Sequence, residues 1–240
     1  RVDLYHMRPD DCLANHRRAI ELNSRIGDPH VEVFAGQCVV SVLIATGDPA
    51  GAQWQSEAML AMAERTRYRS GLISALGEQA KIHLFKGDWE SSRQLVDRGL
   101  SLSPGPGWFF LAKGVLLEQA LGDLAQGKGY LSQLAELIHM NPPGPLGCHI
   151  AILLRDDVTG NRERLEVAKE AARTVLSSPL AAIPAVAMQA NVALGLIAVQ
   201  QGDRAAAEGL YAALEPVRAL FPVLDICFLS VDRLLGLLCS

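Results

Sequence analysis

The sequence predicts an all-α fold, a stack of about twelve antiparallel helices, on three observations. Apolar residues recur at helical intervals, a glycine followed by Asp or Asn punctuates the chain at near-regular distances, and no segment shows the β-branched alternation of a sheet. The punctuation is Gly47-Asp48, Gly87-Asp88, Gly122-Asp123, Gly160-Asn161 and Gly202-Asp203, spaced 40, 35, 38 and 42 residues apart. Glycine suits the left-handed position that ends one helix, and Asp or Asn caps the next, so one dipeptide stops and restarts the chain. Periods of this size are those of helix-pair repeats.

Each element follows from its ends. A helix over 9–26 opens at Pro9 with Asp10 and Asp11 in its first turn, where carboxylates offset the helix dipole. Helices over 29–46 and 49–67 open at Pro29 and Pro49, and the second runs into Arg65-x-Arg67-x-Arg69, cations suited to a helix C-terminus or to an anionic partner. The stripe Leu72, Ile73, Leu76, Ala80, Leu84 and Phe85 marks 70–86. Trp89, Leu95, Val96, Gly99, Leu100 and Leu102 mark 88–102, which stops at Ser103-Pro104-Gly105-Pro106. Helices over 107–121 and 123–139 flank Gly122-Asp123, and Asn141-Pro142-Pro143-Gly144-Pro145 then predicts a bend at 141–146 inside one repeat domain spanning 1–240. The remaining helices are expected at 145–157, 161–177, 182–201, 203–219 and 222–238, with a kink or early end at Pro216.

Composition narrows the function classes. With 240 residues, 50% hydrophobic and 20% charged, the chain has enough apolar content for a sizeable core and is not disordered. A net charge of −4 gives no general attraction to phosphate, so direct nucleic-acid binding is not expected. Mean hydropathy is +0.18, and residues 174–202 carry no charge. Ser177, Ser178, Pro179, Pro184, Gln189, Asn191, Gln200 and Gln201 interrupt that stretch, which argues against a membrane span. The five cysteines form no CxxC pair, as expected for reduced thiols in a cytoplasmic protein. The start shows neither an initiator Met nor an apolar signal core, so the chain is expected to be a piece of something longer.

Residues 76–104 resemble a tetratricopeptide (TPR) repeat, with Gly87-Asp88-Trp89 at the turn and Pro104 at the end. Leu194-Gly195, Gly202-Asp203, Ala207 and Tyr211 are similar to the same pattern, and the match weakens at Gly47-Asp48 and Gly122-Asp123 and is poorest around Gly160. The phrase Ala19-Ile20-Glu21-Leu22-Asn23-Ser24-Arg25-Ile26-Gly27-Asp28 resembles the degenerate TPR regions of large bacterial signalling regulators. In those proteins such a region accompanies a STAND-type ATPase and a LuxR-type or nucleotide-cyclase output domain. The resemblance implies a right-handed superhelix and a role in signalling or transcription regulation, and it carries over no functional residue.

Chemical motifs are few. Gly122-Asp123-Leu124-Ala125-Gln126-Gly127-Lys128-Gly129 mimics a phosphate-binding loop, but it lacks the hydroxyl after the lysine and a preceding strand, and it occupies a repeat turn. Cys148-His149 with Asp156-Asp157 does not converge as metal ligands must, because adjacent helical residues point about 100° apart. There is no G-x-S-x-G elbow, and neither enzyme activity, cofactor nor metal is expected.

Stacked helix pairs present the first helix of each pair on a common face, the usual binding surface of such arrays. The register places Phe34, Gln37 and Ser41 there, then Ser74, Gly77, Lys81, Leu84 and Phe85, then Phe109, Ala112, Leu116 and Gln119, and last Gln189, Val192, Leu196 and Gln200. A protein or peptide partner, or a neighbouring domain of the parent chain, is the expected occupant, and each residue named has the plain alternative of packing on a neighbouring helix. A small-molecule effector site is the alternative function, and it would require an enclosed apolar groove with a few polar groups. Gly195 is expected at a close helix contact. The apolar C-terminal helix, with Leu229, Val231, Leu234, Leu235, Leu237 and Leu238, is expected to expose surface that pairs with a second copy or with further repeats.

Overall fold

A computed structural model describes residues 2–103, 107–139, 162–219 and 230–239. The expected bend at 141–146, the helix at 145–157, the Gly160-Asn161 turn, Cys148, His149 and the start of the last helix lie outside these residues. Among the described residues the chain forms twelve α-helices and two short 3-10 turns, with no strand. They fall into two compact units, Arg1–Leu134 and Ala135–Ser240.

The first unit contains α1 (Val2–Tyr5), α2 (Pro9–Asn23), α3 (Pro29–Ala45), α4 (Pro49–Thr66), α5 (Arg69–Lys86), α6 (Trp89–Leu102), α7 (Trp108–Leu121) and most of α8 (Leu124–His139). From α1 to α7 each helix packs on the next, and α3 also packs on α5 and α5 on α7. Links of two or three residues, as between α3 and α4 or α5 and α6, leave consecutive helices no arrangement but a hairpin.

The turns work as expected. Gly47, Gly87 and Gly122 take φ of 81°, 74° and 79°, a region open to glycine at little steric cost. The amide of Asp48 returns to the carbonyl of Leu43 at 2.7 Å and that of Asp88 to His83 at 3.0 Å, closing the ends of α3 and α5. The Asp48, Asp88 and Asp123 carboxylates then accept from the amides of Gly51 at 2.8 Å, Ser91 at 3.3 Å and Gln126 at 3.1 Å. Gly27-Asp28 forms a further such turn between α2 and α3, with Asp28 accepting from the His30 amide at 2.8 Å. Here α2 stops at Asn23, three residues before the expected end. The buried Asn23 amide spans the turn, donating to the Asp28 carbonyl at 2.8 Å and accepting from the Asp28 amide at 3.1 Å.

Packing repeats with the turns. Five residues after each turn glycine stand Ala52, Ser92 and Gly127, all small and buried, and twelve after it stand Met59, Gly99 and Leu134, also buried. Residues 49–60 of α4 and 89–100 of α6 show the same order of buried, half-buried and exposed positions throughout. The small side chains let helices approach. A Cβ at Gly99 would lie 2.0 Å from the Phe110 ring, which is fully buried with Leu76, Ala80 and Val96. Ser92 fits because its hydroxyl donates to the Ala80 carbonyl at 3.0 Å, so its buried oxygen is satisfied.

The second unit contains α9 (Arg162–Ser177), a 3-10 turn at Pro179–Ala182, α10 (Pro184–Gln201), α11 (Arg204–Leu214), a 3-10 turn at Glu215–Val217 and α12 (Val231–Leu238). Gly202, at φ 65°, and Asp203, accepting from the Ala206 amide at 3.1 Å, repeat the turn seen in the first unit. Buried Ala207 and Leu214 hold the positions of Ala52 and Met59. α11 ends at Leu214, so the expected break at Pro216 is present. The uncharged stretch of residues 174–202 is interrupted by the first 3-10 turn, and no helix among the described residues is long and apolar enough to cross a membrane.

One expectation is corrected here. The C-terminal helix was expected to expose its apolar side, yet Val231, Leu234 and Leu235 are buried, and α12 packs on α10 and α11. The reason is a stripe at i, i+3 and i+4 that meets α10 where Gly195 removes a side chain, 3.1 Å from Cβ position to Leu234 Cδ2. Leu237 keeps 37% of its surface exposed.

Three glycine substitutions should separate close contact from helix propensity. Gly195→Leu should destabilise by about 1 to 3 kcal/mol through overpacking, and Gly99→Ala by a similar amount against the Phe110 ring. Gly129→Ala, inside α8 with nothing within 4 Å of its Cβ position, should stabilise by about 0.5 to 1 kcal/mol. Urea unfolding midpoints measure all three.

Candidate functional site

Because α3 packs on α5 and α5 on α7, the first helices of the three pairs lie side by side. Phe34 stands at 37% exposure, with its ring 6.4 Å from that of His16, and Gln37 and Ser41 follow it half-buried along α3. On α5, Ser74 and Phe85 are half-buried. Phe109 reaches across from α7 to the gap left by Gly77, where a Cβ would lie 2.8 Å from its ring. It packs on Phe110 at 4.3 Å between centroids and meets Trp108 edge-on at 5.9 Å. The side chain of Gln119 lies outside the described residues. Gln189, buried, and Gln200, half-buried, belong to α10 of the second unit.

Lys81 behaves differently from an exposed cation. Its Nζ lies 2.6 Å from Glu78 Oε2, with side-chain exposures of 7% and 8%. The pair sits one helical turn apart on α5, and its attraction is directed inward. On α7, Lys113 is also buried. Its Nζ stands 5.1 Å over the Phe109 ring and donates to the Phe109 carbonyl at 3.3 Å. Glu118 is gripped by one edge of the Arg93 guanidinium, which donates from Nε to Oε1 at 3.0 Å and from Nη2 to Oε2 at 2.5 Å. This fork, the strong carboxylate geometry, keeps Arg93 protonated above the usual arginine range. Of these five charges the sequence singles out only Lys81. The i, i+3 spacing of Glu78 and Lys81 carried the signal for their pairing, whereas Arg93 and Glu118 meet only through the fold.

Each unit carries a cleft. One of about 480 Å³ opens in the first unit between Asn15, His16 and Ala19 of α2 and His30, Val31 and Phe34 of α3, with Asp3 at one end. Asp3 is already engaged, 2.6 Å from Arg8 and accepting from the Asn15 amide at 2.9 Å. The other, about 260 Å³, lies in the second unit beside Lys169, Arg173, Gln201 and Asp203. Both are open clefts.

Reactive groups near the first cleft are spoken for. Cys12 is fully buried, and burial, with Cys38 beside it, pushes its thiol up to about 11. His16 Nδ1 stands 3.5 Å from the thiol but 2.8 Å from the Cys12 carbonyl, to which it donates, so the thiol keeps its proton and is a weak nucleophile. Among the described residues no three His, Cys, Asp or Glu side chains are placed to hold a metal ion. Arg69 of the basic run donates to the Leu102 carbonyl at 3.1 and 2.7 Å, tying α5 to the end of α6. Residues 122–129 form a helix start, with Gly122 in the turn, Asp123 as cap and Lys128 within α8.

Neither protein-family models nor curated proteins match this chain.

Two tests follow from these contacts. Lys81→Met should destabilise by about 3 to 5 kcal/mol because it strands the buried Glu78 charge, and adding Glu78→Leu should recover most of the loss, as read by urea unfolding. Because Lys128 lies on a capped helix, no magnesium-dependent ATP binding is expected by calorimetry, and saturable binding abolished by Lys128→Ala would contradict this reading.

Proposed function

We propose that the chain is a non-catalytic TPR-like interaction module of a bacterial signalling or transcriptional regulator, working in the cytoplasm. Its partner is a protein segment or peptide, or a neighbouring domain of a longer parent chain, held on the face shared by α3, α5 and α7. The observation that carries this reading is the alignment on adjacent helices of an exposed aromatic, Phe34, with half-buried Gln37, Ser41, Ser74, Phe85 and Phe109. Rings supply apolar contact area at small entropic cost, and the amide and hydroxyl groups offer hydrogen bonds to a backbone. The recurring turn and packing register supports the TPR-like part of the proposal.

The effector-binding alternative draws on the 480 Å³ cleft, whose lining is largely apolar with Asp3, His16 and His30 at its edges. Its openness favours a macromolecular segment over an engulfed small molecule, because small-ligand sites bury most of the ligand surface.

Site-specific photocrosslinking tests the interaction reading. Benzoylphenylalanine at Gln37 or Ser74 should give one discrete adduct in the native host, and at Trp54, 70% exposed on α4, none. Equal labelling from all three positions, or none, counts against the proposed face.

A further inference from the structure

The first cleft matches an interface that the same unit fills elsewhere. Forty residues before Gly47, Met7 takes the left-handed conformation at φ 56°, and Pro9 opens α2 as Pro49 opens α4. In this register α1 corresponds to the last turn of α3, and α2 to α4.

One repeat later the equivalent surfaces are covered. Gly36 of α3 sits on α4, its Cβ position 2.7 Å from Met59 Cγ and 3.3 Å from Gln55 Nε2. Val33 sits on α5, 2.8 Å from the Cβ position of Gly71. Met59 and Met62 are buried in one cluster with Val33 and Ala75. The counterparts of Gln55, Met59, Met62 and Gly71 are Asn15, Ala19, Leu22 and Val31. There Leu22 is 45% exposed against 2% for Met62, and Val31 is 37% exposed where Gly71 is buried. Asn15, Ala19 and Val31 line the cleft.

We propose that this cleft is the seat of one more helix of the α3 type, leading into α1 and laying small or branched apolar residues, in the spacing of Val33, Gly36 and Val40, across α2 and α3. Such a helix continues an interface already built between α3, α4 and α5, and it meets Leu22, Ala19 and Val31 as α3 meets Met62, Met59 and Gly71. Phe34 borders both this cleft and the partner-binding face proposed above, but the inference rests on Leu22, Ala19 and Val31, which that face does not use.

Fusing a copy of residues 29–40 directly before Arg1 brings the α3 sequence into register with α1, since Arg1 corresponds to Ser41. The fused protein should melt about 4 °C or more above the 240-residue chain, with amide hydrogen exchange slowed in the second half of α2. Leu22→Asp should shift the unfused chain by no more than about 1 °C and should remove the gain from the fusion. An unchanged melting point and exchange pattern would overturn the proposal. So would an equal gain from a copy carrying Asp in place of the two residues equivalent to Val33 and Gly36, because the added helix would then act without the seat.

Discussion

The constraint on which the rest depends is the closeness of approach between helices joined by two- or three-residue turns. The left-handed glycine and capping Asp reverse the chain so tightly that the partner helix begins against the end of the first. Five residues on there is room only for Ala52, Ser92, Gly127 or Ala207, and the bulky positions must come later in the turn of the helix. Where a large ring does enter, as Phe110 does, the facing position is Gly99. Turn, spacing and side-chain size are therefore one requirement expressed three times, which is how a local choice fixes a non-local contact.

The same closeness shapes the proposed partner face. Helices this near leave little space between α5 and α7, so Phe109 occupies the gap beside Gly77 and the charges of Glu78, Lys81, Lys113 and Glu118 are drawn below the surface. Buried pairs of this kind contribute less to net stability than their distances suggest, because desolvation opposes the attraction. The groups left at the surface, Phe34 first among them, stand on closely packed helices, and a surface already held in its binding conformation lowers the entropic cost of holding a partner.

The fold was legible where a single residue type has one physical use. Glycine before Asp marked the turns, proline marked helix starts and the end at Leu214, and Gly195 marked a contact that Leu234 fills. Features that arise from a particular environment were not legible. The end of α2 depends on the Asn23 clasp around the Gly27 turn, and Met7 and Arg67 adopt left-handed backbone without being glycine. The site was readable only as a list of positions on a face. The register placed Phe34 and Phe109 there, and spacing alone pairs Glu78 with Lys81, but nothing in it told that this pair is buried or that Glu118 meets Arg93, because burial of a charge is decided by tertiary neighbours. For the same reason periodicity did not reveal that α12 is covered.

In the first unit, packing among α1 to α7 joins successive helices and the alternate pairs α3 with α5 and α5 with α7. The chain entropy lost in closing such contacts is correspondingly small, since no strand or helix from the far end must be found before a pair can form. Any hairpin can serve as nucleus, with neighbours adding outward by growth along the chain. Folding of that unit is therefore expected to be fast for its length, and substitutions at different hairpins should redistribute flux among parallel routes instead of blocking one pathway.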